Sequence, residues 1–310
     1  SDASTVTRTF KPGETFNYKI TIKNNTDKPV EDAVVYDALP KVHDVNTLDG
    51  SNRLTEYTVS LRGPVSAPEG WTVYYTTDPS VTSDTMEQAA DKDIWTAAVA
   101  DYSQVTGIKF VADKGTTIPA RSEANFGVPV VNPTELTKDV KDLMQKRTKD
   151  NEDNGGRSGV VQAHNQFGYK AKGHEGNRES NTVSAQIFSA AFQVKKVDKD
   201  NPKKVLEGAE FTLTDANGAV VATATSDKNG ELSFNTLTEG NYTLKETKAP
   251  ANYKLDETDH AVVVTYDADK QIYHVTVDGK AVGSKALPLE IANEADIKYI
   301  DLEASKVWDD

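Results

Sequence analysis

The 310 residues carry a formal net charge of −13, with 37 % hydrophobic and 27 % charged residues and no cysteine, which suits a globular chain of about two or three domains that disulfides cannot cross-link. The acidic balance, with a pI near 4.9, argues against nucleic acid as a partner, because phosphate binding needs basic patches. No apolar run approaches the roughly 18 residues of a membrane span, and no signal-peptide core opens the chain.

Strand patterns dominate from the start. TFNYKITIKNN (15–25) puts Phe16, Tyr18, Ile20 and Ile22 on one face, and EDAVVYDALP (31–40) follows the turn residues NNTDKP. Further strands are predicted in TEYTVSL (55–61), WTVYYTT (71–77), TGIKFVA (106–112), ANFGVPVV (124–131), VVQAHNQFGYKA (160–171) and SNTVSAQIF (180–188). Two stretches break the pattern. SDTMEQAADKDIW (83–95) suits a helical turn, and Leu136, Val140, Leu143 and Met144 fall at the spacing of a short amphipathic helix leading into a polar loop. If the first domain is only a spacer, this 134–159 insert should be dispensable. From about 190 the strands shorten, and the Asn-Gly pairs of TDANGAV and SDKNGEL suit hairpin turns. Domain boundaries are expected near 189 and 297, with a further module beginning at 298. Both ends read as cut from a longer chain: Ser1 lies almost at a strand and ASKVWDD stops within one.

Three strands of the 190–297 domain share one anomaly. Period-two alternation puts Lys196 on the face of Phe192 and Val194, Glu246 with Tyr242 and Leu244, and Asn293 with Leu289 and Ile291. A lysine, an acid and an amide thus point into one interior, where an unpaired charge is costly. One reading is a buried Lys–Glu ion pair with a hydrogen-bonded Asn. The other is a reaction. Burial favours the neutral forms of both Lys and Glu, a neutral amine is a nucleophile, and a protonated acid can polarise the amide and relay protons. Held in contact, amine and amide gain a large effective molarity, and the product is a Lys–Asn isopeptide bond with loss of ammonia.

The stretch FQVKKVDKDNPKKVLEGAEF…YTLKETKAPANYKL resembles the CnaB-type (SpaA-like, prealbumin-like) isopeptide domain of Gram-positive surface proteins and sortase-assembled pilins. YTLKETKAPANY resembles the pilin E-box, with Ala251 read as standing where the family has Gly. The resemblance implies that Lys196 joins Asn293 with help from Glu246, the trio that alternation selects. ASKVWDD resembles the opening strand of another such module, which would make Lys306 its reactive Lys. Residues 1–189 resemble, more loosely, the larger CnaA- or DUF11-like β-sandwiches, in whose cross-linking members an Asp assists a Lys–Asn bond. Asp37 and Asn181 are the corresponding candidates, both expected to point inward. Lys19 and Lys23 lie on the wrong face and STVTRTF offers Arg8 instead, so either a bulge turns a Lys inward, or the Lys lies upstream of Ser1, or no bond forms; the last is the expectation, with Asp37 read as a hydrogen-bonded turn residue before Leu39-Pro40.

The expected fold class is all-β, as tandem immunoglobulin-like β-sandwiches with a short helical insert in the first. Other chemistry is thin. The five histidines have no metal-ligand spacing, KDNEDNGG lacks the final Glu of a calcium loop, and no phosphate-binding or nucleophile motif occurs, so no cofactor, metal or external turnover is expected. Trp71 and Trp95 are expected to fill sandwich cores. Two function classes remain. One is a stalk or pilus segment, extracellular and anchored by sortase to cell-wall peptidoglycan or to other pilin subunits. The other is an adhesin whose first domain binds a host matrix protein or glycan. An LPxTG signal would accompany either and a pilin-motif Lys would mark a shaft; neither occurs in these residues.

Overall fold

The computed structural model describes residues 6–47, 49–149, 156–297 and 304–306. The chain forms two compact units: Ser1–Met144 with Val160–Phe188, and Gln145–Gly159 with Ser189–Asp310. Both are built from β-sheets, and the described residues contain two α-helices, Met86–Ala90 and Lys138–Lys149. The fold is all-β.

In the first unit the alternating strand Thr15–Lys23 pairs antiparallel with Glu123–Val131, which also pairs with Ser60–Leu61. A five-stranded sheet runs in the order His174–Glu179, Gly168–Ala171, Val34–Ala38, Gly107–Ala112 and Trp71–Thr76. A third sheet joins Val6–Phe10 parallel to Val183–Ile187, which pairs antiparallel with Val161–Asn165. Val35, Ile108, Phe110, Phe126, Val128 and Val130 fill the core, with Trp71 edge-on to Phe126. Trp95 packs edge-on to Tyr36, in a smaller cluster with Met86 and Ala89.

Three expectations change here. Only Ser60–Leu61 of the 55–61 stretch is strand; Tyr57 and Val59 are buried by alternation, but Glu56 and Val59 donate their N–H groups singly to Gln162 and Pro40 carbonyls. The 160–171 run breaks into two strands in different sheets, and at Gly168 a Cβ would clash with the Asp84 carbonyl. The helical insert is not a loose appendage, because Val140 and Met144 lie in the first core. Met144 is fully buried, so Met144→Ala should destabilise the first unit by about 2–5 kcal/mol. An unchanged first-unit melting transition would return the helix to the surface.

The second unit has a three-stranded sheet ordered Glu231–Leu237, Ala190–Asp198, Leu289–Asn293. Its six-stranded partner is ordered Val220–Thr225, Glu210–Asp215, Gly240–Lys248, Asp259–Asp267, Ile272–Val277, Lys280–Val282. Phe192, Val194, Phe211, Phe234 and Leu244 are fully buried. TDANGAV closes a hairpin within the larger sheet, but SDKNGEL does not. It carries the chain from Val220–Thr225 to Glu231–Leu237 in the other sheet.

Candidate functional site

Lys196 sits in Ala190–Asp198, the central strand of the smaller sheet, between an antiparallel and a parallel neighbour. The parallel neighbour is Leu289–Asn293, in a register that sets Lys196 beside Ile291 and Asp198 beside Asn293. Glu246 comes from the larger sheet, paired with Phe211. The alternation that buries Val194, Leu244 and Ile291 buries these polar residues with them: Lys196 is 0 % exposed, Glu246 1 % and Asn293 1 %. Gly230 supports the lysine's backbone from the side. It accepts the Lys196 N–H at 2.7 Å and has φ +71°, and a Cβ there would lie 2.6 Å from the Lys196 carbonyl oxygen. Nothing in the sequence pattern marked that role.

The three side chains meet. Lys196 Nζ lies 3.2 Å from Glu246 Oε1. Asn293 Nδ2 donates to Glu246 Oε2 at 2.8 Å and to the Lys254 carbonyl at 2.7 Å, which uses both of its N–H bonds and fixes the amide plane. Glu246 Oε2 also accepts the Asp256 N–H at 2.8 Å. Lys196 Nζ, Glu246 Oε1 and Asn293 Oδ1 nevertheless form no hydrogen bond, so the 3.2 Å approach is a contact of charge rather than a well-directed bond. Burial lowers the Lys196 pKa, with the Glu246 charge opposing it, and the ammonium lies 5.4 Å from the centre of the Phe211 ring. A lysine biased towards its neutral amine, an acid with one free oxygen and an oriented amide share one buried site.

The loop after the Glu246 strand closes over them. Tyr253 Oη donates to Asp198 Oδ2 at 2.7 Å, and Glu294 bridges Lys199 at 3.3 Å and Lys254 at 2.6 Å. The left-handed residue of this loop is Asn252, φ +67°, so the glycine-like position is Asn252 and not Ala251. Asn tolerates that backbone better than most side chains.

The first unit departs further from expectation. Asp37 is fully buried, but within Val34–Ala38 and paired to Ile108 rather than at a turn. Asn181 is exposed, because the strand begins only at Val183 and its alternation does not extend back. The amide beside Asp37 is Asn165, whose Nδ2 donates to Asp37 Oδ2 at 3.4 Å. Lys19 and Lys23 are exposed. The cation acting on Asp37 is Arg53, itself buried, with Nη2 2.8 Å from Asp84 Oδ1 and Nη1 3.5 Å from Asp44 Oδ2. Thr47 Oγ1 also bonds Asp84. Burial pushes the carboxyls of Asp37 and Asp84 up to about 7 and that of Asp44 to about 6, with Arg53 pulling each down. Lys306 is exposed and in no strand; its flanks, and most of KDNEDNGG, lie outside the described residues.

Residues 190–281 match the family model described as SpaA, prealbumin-like fold domain, a stretch that includes Lys196 and Glu246 and stops short of Asn293. Among curated proteins, the chain is 36 % identical over 75 residues to a fibrinogen-binding protein of Staphylococcus epidermidis, covering 24 % of this chain and 7 % of that one. It is 30 % identical over 139 residues to a collagen adhesin of Staphylococcus aureus, covering 43 % of this chain and 11 % of that one. The alignments therefore span only a small part of these relatives. Among solved structures, the group B streptococcus pilus 2b backbone protein aligns with 93 % of this chain and 95 % of its own at 15 % identity and a TM-score of 0.38.

Proposed function

We propose that this chain is a structural segment of a Gram-positive surface protein or pilus whose second unit locks itself with a Lys196–Asn293 isopeptide bond. The carrying observation is the buried meeting of Lys196, Glu246 and Asn293. Neutral Lys196 Nζ attacks Asn293 Cγ, and Glu246 Oε1 takes the amine proton. Glu246 Oε2, already bonded to Asn293 Nδ2, returns a proton to that nitrogen, which leaves as ammonia. One amine and one amide give one secondary amide and ammonia, so Glu246 is regenerated and no cofactor is consumed. The reaction runs once per chain, and the protein is not an enzyme towards other molecules. Anchoring by sortase to cell wall or to other subunits belongs to this proposal.

The test is electrophoretic. Boiled in detergent, the wild type should run ahead of Lys196→Ala and Asn293→Ala, because an internal covalent loop keeps the denatured chain compact. Identical mobilities would remove the bond and leave a buried ion pair. A second reading, an adhesin, is favoured by the names of the two staphylococcal relatives, and it assigns ligand contact to the first unit.

A further inference from the structure

In the first unit, the strand His174–Glu179 is an edge of the five-stranded sheet and, among the described residues, pairs only with Gly168–Ala171. The register sets Arg178 opposite Tyr169, and Tyr169 opposite Val35, which is fully buried; it then shifts at an irregularity between Tyr169 and Ala171, beyond which His174 lies opposite Ala171. Residues directly opposite in an antiparallel pair share a face, so the core face of the sheet continues outward into this hairpin. There it carries Arg178 and His174 in place of apolar residues. Between the hairpin and the end of Thr15–Lys23 lies a cleft of about 240 Å³, with an apolar floor that includes Ile22, Val30, Val35 and Ile118. Lys23 and Lys170 join Arg178 and His174 in its wall. A second cleft, of about 400 Å³, shares Thr26, Val30 and His174 with the first and adds Lys28 and Lys172.

The charge here opposes that of the chain. Its net charge is −13, yet among the described residues the lining of both clefts contains five Lys or Arg side chains, one His and a single acid, Asp27, which Arg121 neutralises at 2.7 Å; of the five, Lys23 is paired with Glu123 at 3.9 Å and Lys172 with Glu31 at 2.6 Å. Lys170, His174 and Arg178 form no ion pair among the described residues. Lys170 and Arg178 beside an apolar floor attract anions that bring an apolar group.

We propose that this cleft binds an acidic peptide segment with one large apolar side chain. The side chain fills the floor between Ile22, Val35 and Ile118, and flanking carboxylates meet Arg178, Lys170 and His174. The edge strand His174–Glu179 offers backbone groups to an extended chain alongside. An apolar floor favours a peptide over a sulfated glycan, which has nothing to place there. The cleft lies within the first unit and does not depend on the cross-link.

The probe is a fluorescent seven-residue peptide of Asp and Glu with a central Phe, titrated by anisotropy into the full chain at low salt. Saturable binding is expected. It should weaken roughly tenfold in the double variant Lys170→Glu/Arg178→Glu, which changes one half-buried and one exposed side chain, with unchanged melting, and less in Lys170→Gln/Arg178→Gln. A peptide with Ser in place of Phe should also bind roughly tenfold more weakly. Absence of saturable binding, or binding indifferent to charge reversal, would overturn the proposal. So would heparin or the Ser peptide competing as well as the Phe peptide, since either result leaves only a general attraction of charge.

Discussion

Glu246→Ala should lower the melting temperature of the second unit by roughly 20 °C. The proposed bond closes a loop of about a hundred residues, and by the chain-entropy model for cross-links such a loop contributes on the order of 4–5 kcal/mol. In a domain of this size each kcal/mol shifts melting by about 4–8 °C. The variant also leaves Lys196 buried beside an uncross-linked amide, which adds to the loss. Lys196→Met/Glu246→Leu separates the two effects, since it removes the bond and both buried charges at similar volume. It should still melt well below the wild type and be cut faster by trypsin. The bond would join Ala190–Asp198 to Leu289–Asn293, strands near the two ends of the second unit, so tension on those ends would load a covalent link rather than a hydrogen-bonded ladder. If wild type and double variant melt together, the bond contributes no stability and the load-bearing argument fails.

The first unit should become more stable as the pH falls from 8 to 5, the reverse of ordinary acid denaturation. Asp37 ionises near 3.8 in the unfolded chain and near 7 in its buried site. Between those values the folded chain holds more protons than the unfolded one, so stability falls as pH rises and the loss is complete above about 7. Asp84 adds a parallel slope that ends near pH 7, and Asp44 one that ends near pH 6. From Asp37 alone the span is on the order of a few kcal/mol. In the second unit, Asp198 is held below the usual carboxylate range by Tyr253, so its contribution stays constant over this window and is lost only in stronger acid. Calorimetry of the full chain at pH 5 and pH 8 should therefore move the first-unit transition. Asp37→Asn, which keeps the Asn165 neighbour but cannot ionise, should flatten much of that slope. A slope unaffected by Asp37→Asn would mean that this carboxyl does not titrate as its burial requires.

What the sequence revealed follows from the range of each signal. Alternation is local, and it placed Lys196, Glu246 and Asn293 in one interior because each lies inside a regular strand beside two apolar residues. The same rule failed at Asn181, where it was carried past the end of the strand. It buried Tyr57 and Val59 correctly but could not say that their segment lacks a ladder partner. The Asn165–Asp37 contact joins positions 128 residues apart, and Arg53 reaches Asp84 across 31. Neither has a periodicity to read. Turn chemistry has a similar limit: Asn229-Gly230 marks a turn, but only the tertiary fold decides that the next strand crosses to the other sheet and that Gly230 lies against Lys196.

The intact mass of the purified wild-type chain tests the central claim most directly. It should fall short of the sequence mass by one ammonia, and a tryptic digest should contain one branched peptide joining Lys196 to Asn293. Lys196→Ala, Glu246→Ala and Asn293→Ala should each show the full mass of their own sequence. A wild-type mass equal to that of its sequence would contradict the account and leave Lys196, Glu246 and Asn293 as a buried, unreacted ion pair and amide.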